Sequence, residues 1–280
     1  MPGMTHPAAR QACEGCRGSG LVVQAGPAST LVAVACACVA PVCPACGGGG
    51  WIAQGPGFRA PRVRCGCARV EARGRLLGEA RLPNRYVDAT LDRLEPRGGA
   101  AAATAALSHF VRSAAAPGPM RGVVLHGAVG LGKTHLLVAA LRALTLEHGV
   151  SARFIEFSHL LSDLKSSFEQ GTTAEVMASL DRRRVLAIDE LGKGRNTEFE
   201  LSVLDELVSR RYNEGLPILA ATNYAPSTPT GRATPNLAAP RATEPALVER
   251  VSERVYSRLQ EVCLFVPIHG EDRRVTPRPR

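Results

Sequence analysis

The sequence predicts a parallel α/β domain that follows a small cysteine-rich domain. From Arg121 onward, short apolar runs alternate with amphipathic helical stretches, which is the pattern of a parallel sheet covered by helices. Eight of the nine cysteines lie between Cys13 and Cys67, whereas Cys263 stands alone far downstream. The chain has 280 residues, of which 45% are hydrophobic. This composition favours about two compact domains and excludes a coiled coil, a collagen-like chain and a wholly disordered protein.

Composition divides the chain into three regions. Residues 1–75 are rich in cysteine, glycine and proline, residues 76–120 form a connector, and residues 121–280 form the predicted α/β domain. Within the last region, residues 225–243 carry four prolines and are expected to form a mobile loop, and residues 271–280 form a basic tail. No apolar run approaches the ~20 residues of a membrane span, and no signal-peptide core is present. We therefore expect a cytoplasmic protein with no membrane partner.

Periodicity predicts the elements of the connector and the α/β domain. The connector ends in a helix, since four apolar residues recur there at helical spacing: Leu107, Phe110, Val111 and Ala114. Short apolar runs predict strands at Gly122–His126, Ala152–Phe157, Val185–Asp189, Ile218–Thr222 and Leu264–Ile268. The segments between them predict helices at Lys133–His148, Ser158–Glu169, Thr197–Asn213 and Glu244–Glu261. Because proline cannot donate to a sheet ladder, Pro267 indicates that the last strand lies at an edge.

The cysteine-rich region contains an internal repeat. Residues 13–20 and 43–50 both fit CxxCxGxG, and a CxC pair follows each CxxC after 19 and 18 intervening residues, respectively. The eight cysteines are Cys13, Cys16, Cys36, Cys38, Cys43, Cys46, Cys65 and Cys67. Four thiolates in a tetrahedral arrangement are a common structural zinc site, so the repeat predicts two zinc ions. Iron–sulfur clusters and buried free cysteines are the alternatives.

Two groupings of these cysteines satisfy the spacing. The repeat would place the first four cysteines around one ion and the last four around another. A nested arrangement would instead join the outermost pairs and the innermost pairs. CxxCxGxG repeats resemble the cysteine-rich region of DnaJ-type co-chaperones, in which nesting is the rule, so both groupings stay open here. Each four-thiolate zinc site carries a formal −2, so two ions lower the net charge of residues 1–75 from +6 to about +2.

A phosphate-binding loop is predicted directly after the first strand of the α/β domain. The run Gly127-Ala128-Val129-Gly130-Leu131-Gly132-Lys133-Thr134 fits G-x-x-x-x-G-K-[ST] and opens a helix that continues with His135. Its glycines let backbone N–H groups approach phosphates, and the helix N-terminus adds a favourable field. Lys133 would neutralise the β- and γ-phosphates, and the Thr134 hydroxyl would ligate magnesium. The sequence therefore predicts binding of ATP or GTP.

Polar residues follow two further predicted strands. Asp189 and Glu190 end one apolar strand, and Asn223 follows the next. Since ligands bind beyond the carboxyl ends of parallel strands, these residues are expected beside the γ-phosphate. Asp189 would hold magnesium, and Glu190 would polarise the attacking water as general base. Asn223 would hydrogen-bond the γ-phosphate or that water, although an asparagine after a strand is more often a turn residue.

These motifs together resemble an AAA+ ATPase of the DnaC/DnaI helicase-loader and IstB-like family. The resemblance covers residues from about 82 to 275. Besides the phosphate-binding loop and the strand that ends in Thr222-Asn223, it rests on these segments: His135-Leu136-Leu137, Asp189-Glu190-Leu191-Gly192, Leu207-Val208-Ser209-Arg210-Arg211-Tyr212 and Glu253-Arg254-Val255-Tyr256-Ser257-Arg258-Leu259. It implies a five-stranded sheet, ATP with magnesium, and hydrolysis across the interfaces of an ATP-dependent homo-oligomer. It also implies that residues 82–91 border the adenine and that Arg258 reaches the γ-phosphate of the neighbouring subunit.

The resemblance implies a loader or remodeller that acts on DNA replication assemblies, with a replicative helicase as partner. A transposition helper that works with a transposase is the second hypothesis, and a zinc-dependent chaperone-like adaptor switched by nucleotide is the third. Single-stranded DNA is a further expected ligand. The basic runs at residues 182–184 and 210–211 are more typical of a solvated face than of a DNA contact.

Arginines at residues 250, 254 and 258 form a stripe along the last predicted helix. If that stripe is solvated, Arg250 should pair with Glu253, and Arg258 should pair with Glu261. Arg273 or Arg274 is the candidate for a second arginine that senses the nucleotide.

Overall fold

The structure, a computed structural model, describes residues 5–57, 59–92, 99–114, 118, 120–226 and 245–273. Contacts divide the chain into two units, residues 1–88 with 142–152 and residues 89–141 with 153–280. Most of the loop predicted at 225–243, and the tail from residue 274, lie outside the described residues. In the part of the chain that is described, no helix has the length and apolar character needed to cross a lipid bilayer.

Two antiparallel hairpins and a helix lie in the cysteine-rich part of the first unit. Their bounds are β1 (Leu21–Ala25), β2 (Leu31–Ala35), β3 (Trp51–Ala53), β4 (Arg62–Arg64) and α1 (Gly66–Glu79). Strand β1 pairs with β2, and β3 pairs with β4. Helix α1 buries Val70, Gly74 and Leu77 and spans the domain boundary predicted near residue 75. The sequence did not predict α1, because its buried stripe is short and three of its residues are helix-weakening glycines.

Five parallel strands form the sheet of the α/β domain. They are β5 (Gly122–His126), β6 (Ala152–Glu156), β7 (Val185–Asp189), β8 (Ile218–Thr222) and β9 (Cys263–Pro267). Their order across the sheet is β6-β7-β8-β5-β9. The predicted strands are confirmed to within one residue at each end, and β9 with Pro267 is an edge strand as expected. This order places the carboxyl ends of β7, β8 and β5 side by side.

Seven helices connect or flank these strands in the described residues. They are α2 (Ala100–Ser113), α3 (Lys133–His148), α4 (Phe157–Gln170), α5 (Thr173–Asp181), α6 (Glu198–Asn213), α7 (Leu247–Val251) and α8 (Glu253–Val262). Thr197 caps α6, since its side chain accepts the N–H of Glu200 at 3.3 Å. Helix α5 was not predicted, because it buries only Met177 and Leu180 and so shows little periodicity.

The helix predicted over Glu244–Glu261 is wrong in one respect, because it is broken into α7 and α8. Ser252 lies between them with φ +73°, a left-handed conformation that interrupts the helical hydrogen bonds. Its hydroxyl then accepts the N–H of Val255 at 3.5 Å and caps α8. Helix α8 buries Val255, Tyr256 and Leu259 in the core. The break therefore starts a second amphipathic helix with its own orientation.

A core of apolar residues fills the space between the sheet and helices α4 to α8. Arg211 of α6 is fully buried in the same unit. Its guanidinium donates to the backbone oxygens of Arg183 at 3.1 Å, Arg184 at 2.9 Å and Pro217 at 3.0 Å. Burial lowers the pKa of Arg211 to about 10. The run Arg210-Arg211 is therefore not a uniformly solvated face, because one of its two cations is a buried structural group.

Candidate nucleotide and metal sites

The predicted phosphate-binding loop connects β5 to α3 at the carboxyl edge of the sheet. Gly127 begins the loop with φ +145°, and a Cβ at this position would overlap the carbonyl oxygen of Ile268. Gly130 and Gly132 also have positive φ, at +81° and +90°. Only glycine fits at position 127, because its φ is unfavourable for other residues and because the chain that follows β9 leaves no room for a side chain. His135 lies half-buried in the first turn of α3.

Lys133 is folded onto the loop itself. Its ammonium group donates to the carbonyl oxygens of Gly127 at 2.7 Å and Ala128 at 2.6 Å, and only 8% of the residue is exposed. These bonds hold the charge at the rim of the loop, where the sequence predicts the phosphates. A bound phosphate would offer the ammonium group stronger, charge-assisted hydrogen bonds than these carbonyls do.

Thr134 and Asp189 meet across the site. The Thr134 hydroxyl donates to Asp189 Oδ2 at 2.8 Å, although the residues are 55 positions apart in the sequence. Asp189 is 7% exposed, and burial raises its pKa while the hydrogen bond from Thr134 acts in the opposite direction. A hydroxyl and a buried carboxylate side by side are oxygen ligands that suit magnesium, and a cation there would offset the cost of burying the carboxylate. The donor set therefore fits the predicted ion.

Glu190 follows Asp189 in a left-handed conformation with φ +56°. For a residue other than glycine, this costs free energy and is a feature of functional sites. Its carboxylate forms an ion pair with Lys193, whose Nζ lies 2.5 Å from Glu190 Oε2. The hydrogen bond with Glu190 raises the pKa of Lys193. Lys193 was not among the predicted site residues, although its position three residues after Glu190 is typical of a local ion pair.

Asn223 is exposed directly after β8, on the strand next to the one that carries Asp189. The preceding Thr222 is buried, and its hydroxyl donates to the carbonyl oxygen of Leu191 at 2.7 Å. Leu191 also donates its own N–H to Ala221 at 2.8 Å. These bonds tie the segment after β7 to the end of β8. They fix the backbone on both sides of the edge at which Glu190 and Asn223 lie.

The Arg258 side chain is bound by residues of its own chain. Its Nη1 donates to Asp205 Oδ1 at 3.1 Å and to the hydroxyl of Ser209, and its guanidinium carbon lies 5.6 Å from the ring centroid of Tyr212. All three partners are on α6, and 19% of the Arg258 side chain is exposed. Arg254 also approaches Asp205, at 3.5 Å, with 68% of its side chain exposed. No motif or spacing in the sequence indicated that Asp205 would be the partner of Arg258.

The ion pairs expected for a solvated arginine stripe are wrong. Among the described residues, Arg258 pairs with Asp205 on another helix rather than with Glu261. Glu261 instead accepts a hydrogen bond from the Tyr212 hydroxyl at 2.9 Å. Arg250 donates through Nε to the carbonyl oxygen of Gly192 at 3.0 Å and through Nη2 to that of Gly194. Contacts of α8 with α6, and of α7 with the segment after Glu190, therefore replace the local pairs.

The chain that follows β9 returns to the phosphate-binding loop. The backbone N–H of Arg273 donates to the carbonyl oxygen of Gly130 at 3.1 Å. The Asp272 carboxylate lies so close to Gly130 that a Cβ there would overlap it. Of the two candidates for a second sensing arginine, Arg273 is thus at the loop, and Arg274 lies outside the described residues.

The eight clustered cysteines form two groups of four, and these follow the repeat rather than the nested grouping. In each group, all the sulfurs lie within 4.8 Å of one another; the groups are Cys13, Cys16, Cys36, Cys38 and Cys43, Cys46, Cys65, Cys67. Two sulfur–sulfur distances within each group, four in all, are 3.4–3.8 Å. A tetrahedral site with Zn–S bonds of about 2.3 Å requires sulfurs about 3.8 Å apart. Both groups therefore fit zinc.

Local backbone geometry supports the thiolate form of one cysteine in each group, Cys13 and Cys46, whereas burial raises the pKa of Cys38 and Cys67. The two glycines that the CxxCxGxG motif specifies have positive φ in both copies, at +79° and +77° in the first and +87° and +73° in the second. This turn lets the N–H of Gly50 donate to Cys46 Sγ at 3.3 Å. Backbone hydrogen bonds lower the pKa of Cys46 to about 7 and that of Cys13 to about 6. A metal binds the thiolate, so a lowered pKa favours binding at neutral pH.

We expect about two zinc ions per chain, since each sulfur group matches one four-thiolate site. Structural zinc supplies much of the folding free energy of such small modules, so chelation should unfold the cysteine-rich region and leave ATP binding intact. Elemental analysis and circular dichroism before and after chelation measure both effects. Cys263→Ser is the matched control and should keep the full zinc content. A folded, reduced preparation without zinc would contradict the prediction.

Comparisons with known proteins identify relatives of the α/β domain. Residues 102–225 match the model of the IstB-like ATP binding protein family. A Mycobacterium tuberculosis protein, named as an ATP-binding protein in an insertion sequence, is 32% identical over 105 residues, which are 38% of this chain and 41% of that protein. The replicative helicase loader DnaI of Bacillus subtilis is 26% identical over 121 residues, which are 43% of this chain and 39% of the loader.

Solved structures show the same relationship at the level of the fold. A crystal structure of the DnaC helicase loader is 26% identical, with a TM-score of 0.55, and the match covers 66% of this chain and 99% of that chain. The chain spans about two fifths of the length of the curated relatives it matches. The resemblance found in the sequence is confirmed at the level of the fold: the α/β domain has the AAA+ fold and is similar to DnaC, DnaI and the IstB-like ATP-binding proteins.

Proposed function

We propose that this AAA+ chain is an ATP-hydrolysing loader or remodeller that acts on a replicative helicase during DNA replication. The observation that carries the proposal is the hydrogen bond of 2.8 Å between Thr134 and Asp189, with Glu190 as the next residue. This bond joins the end of the phosphate-binding loop to a buried carboxylate at the same edge of the sheet. With ATP bound at the loop, such an arrangement would put metal ligands and a candidate base beside the terminal phosphate. The choice of a helicase partner is supported by the similarity to DnaI and DnaC.

In this proposal, each residue of the site has a distinct role. The loop N–H groups and Lys133 bind the β- and γ-phosphates, with Lys133 exchanging its two carbonyl acceptors for phosphate oxygens. Thr134 and Asp189 hold magnesium, which when bound neutralises charge on the phosphate oxygens. Glu190 accepts a proton from the attacking water. Asn223 orients that water or the γ-phosphate from the neighbouring strand.

Hydrolysis further depends on a second subunit in this proposal. Arg258 would leave Asp205 and contact the γ-phosphate bound to the neighbouring subunit in an ATP-dependent homo-oligomer. Asp205 would keep Arg254 as its partner, because Asp205 Oδ1 already lies within ion-pair distance of both arginines. The exchange would link assembly of the oligomer to catalysis. The two cysteine groups, each holding a zinc ion, would form the end of the chain that docks the partner.

A second candidate function is that of a transposition helper. It is favoured by the match of residues 102–225 to the IstB-like model and by the M. tuberculosis relative in an insertion sequence. The chemistry of the nucleotide site would be the same. The two candidates differ only in the protein that the ATP-bound form recognises.

The partner can be identified with a chain trapped in its ATP-bound state. We expect Glu190→Gln with ATP to retain the purified replicative helicase of the same organism, whereas Lys133→Ala, which cannot bind the nucleotide, should not retain it. Surface plasmon resonance with the helicase, the transposase and an unfolded client measures all three alternatives. Retention of the transposase alone would establish the second candidate. Client binding that is independent of ATP would contradict both and indicate a chaperone-like adaptor.

A further inference from the structure

The hairpin of β3 and β4 has an inner and an outer face. Trp51 pairs with Arg64, and Ala53 pairs with Arg62. Because successive side chains of a strand point to opposite faces, these four residues share one face. Ile52 points to the other face, where it packs against the second group of cysteines. We call the face formed by Trp51, Ala53, Arg62 and Arg64 the ribbon face.

The ribbon face exposes an aromatic side chain. Trp51 is the one tryptophan of the sequence, and 46% of it is exposed. The guanidinium carbon of Arg64 lies 4.5 Å from the centroid of its ring. This cation–π contact orients the indole across the strand without burying it. A large exposed ring that is held in place is a platform on which a planar ligand can stack.

The charged residues near Trp51 in the sequence are all basic. The sequence contains no aspartate or glutamate between Glu14 and Glu71. Arg62 and Arg64 are exposed, and within the described part of the chain neither forms an ion pair. The negative charge of a zinc-bound cysteine group would lie on the opposite side of the hairpin, with Ile52. The outer face therefore offers two arginines to an external anion.

We propose that the ribbon face binds single-stranded DNA. One base stacks on Trp51, while Arg62 and Arg64 contact successive phosphates of the strand. The two arginines lie two residues apart on β4, or about 6.8 Å along an extended strand, which is comparable with the spacing of phosphates in an extended single strand. Aromatic stacking combined with cations that follow the backbone is the usual chemistry of binding single strands without sequence preference.

The observations favour this ligand over the alternatives. The bases of a duplex already stack on one another, so they cannot stack on Trp51 without being unpaired. A stable protein interface needs about 20–30 residues on each side, whereas the ribbon face has four. The choice of DNA over RNA rests on the proposed function, because the relatives are named for a replicative helicase and for an insertion sequence.

Tryptophan fluorescence tests the proposal directly, since Trp51 is the source of the whole indole signal. We expect a single-stranded DNA oligonucleotide of about 16 nucleotides to quench the fluorescence of the full-length, zinc-loaded chain in a saturable way. In fluorescence anisotropy with a labelled oligonucleotide, Trp51→Ala should weaken binding about 10-fold, and Trp51→Phe should recover most of it. Arg62→Ala with Arg64→Ala should reduce the slope of log K against log salt by about 1.4, which is two phosphates at about 0.7 each.

Matched variants separate a local effect from a general one. Arg10→Ala with Arg75→Ala removes the same charge from two exposed arginines of the same unit, away from the ribbon face, and should bind as the unchanged chain does. Zinc content and circular dichroism establish that each variant is folded. Lys133→Ala should retain full quenching, so that failure of the nucleotide site is distinguished from failure of the ribbon face. Binding of the oligonucleotide without quenching, equal binding by Trp51→Ala, or preferential binding of a duplex or an RNA of the same sequence would overturn the proposal.

Discussion

Replacing Glu190 by glutamine should leave ATP binding unchanged and slow hydrolysis about 10²- to 10⁴-fold. The amide keeps the size of the side chain but cannot accept the proton of the attacking water. Asp189 and Thr134 stay in place, so the nucleotide and its metal should still bind. Fluorescent-nucleotide binding and steady-state phosphate release measure the two effects separately. Hydrolysis by Glu190→Gln at the unchanged rate would exclude Glu190 as the general base.

The ion pair between Glu190 and Lys193 provides a matched control. For Glu190 to act as a base, its carboxylate must exchange the ammonium group, now at 2.5 Å, for a water molecule. Lys193→Ala removes this competitor, and 57% of the Lys193 side chain is exposed, so little packing is lost. We expect Lys193→Ala to bind ATP normally and to hydrolyse it at least as fast as the unchanged chain. A large loss of hydrolysis would show that Lys193 contributes to the reaction.

Replacing Arg258 by alanine should reduce hydrolysis by the assembled protein about 10³-fold or more, because the γ-phosphate would lose the cation supplied by the neighbouring subunit. ATP binding to the single chain should be unaffected. An equal mixture with Lys133→Ala should recover part of the activity, since the ATP site of one variant then meets the intact Arg258 of the other. Phosphate release as a function of mixing ratio measures this recovery.

The contacts of Arg258 suggest two control variants, at Arg254 and at Asp205. Arg254→Ala removes an exposed arginine that shares the same carboxylate of Asp205, and it should keep most of the hydrolysis rate. Asp205→Asn removes the ion pair of Arg258 and keeps the arginine, so it should hydrolyse ATP at least as fast as the unchanged chain once assembled. If Arg258→Ala keeps full activity and Arg254→Ala loses it, the role belongs to Arg254.

Those parts of this protein whose chemistry is local could be predicted from the amino-acid sequence alone. The phosphate-binding loop, its strand and its helix occupy one continuous stretch, so spacing and apolar periodicity were enough to predict them. The sheet strands were also predicted almost to the residue, because a buried parallel strand is a short apolar run with clear ends. Four thiols in each cysteine repeat likewise indicated the number of metal sites.

Short or irregular elements were predicted less well, again for a physical reason. Two of the four buried positions of α1 are a cysteine and a glycine, and α5 buries only two residues, so neither helix shows a clear apolar period in the sequence. The break at Ser252 depends on one left-handed residue, which an apolar pattern continuing on both sides concealed. Periodicity reports the average exposure of a segment, and it contains no information about a single backbone angle.

Tertiary structure alone decided which distant groups meet. It assigned each CxxC pair to the CxC pair that follows it, and it buried Arg211 among the carbonyls of two other segments. It also gave Arg258 a partner on α6, 53 residues away, in place of a local glutamate. These contacts form because desolvated charges and unpaired carbonyls must find partners in the folded chain. The position of such a partner depends on how the helices pack, and local spacing along the chain does not specify it.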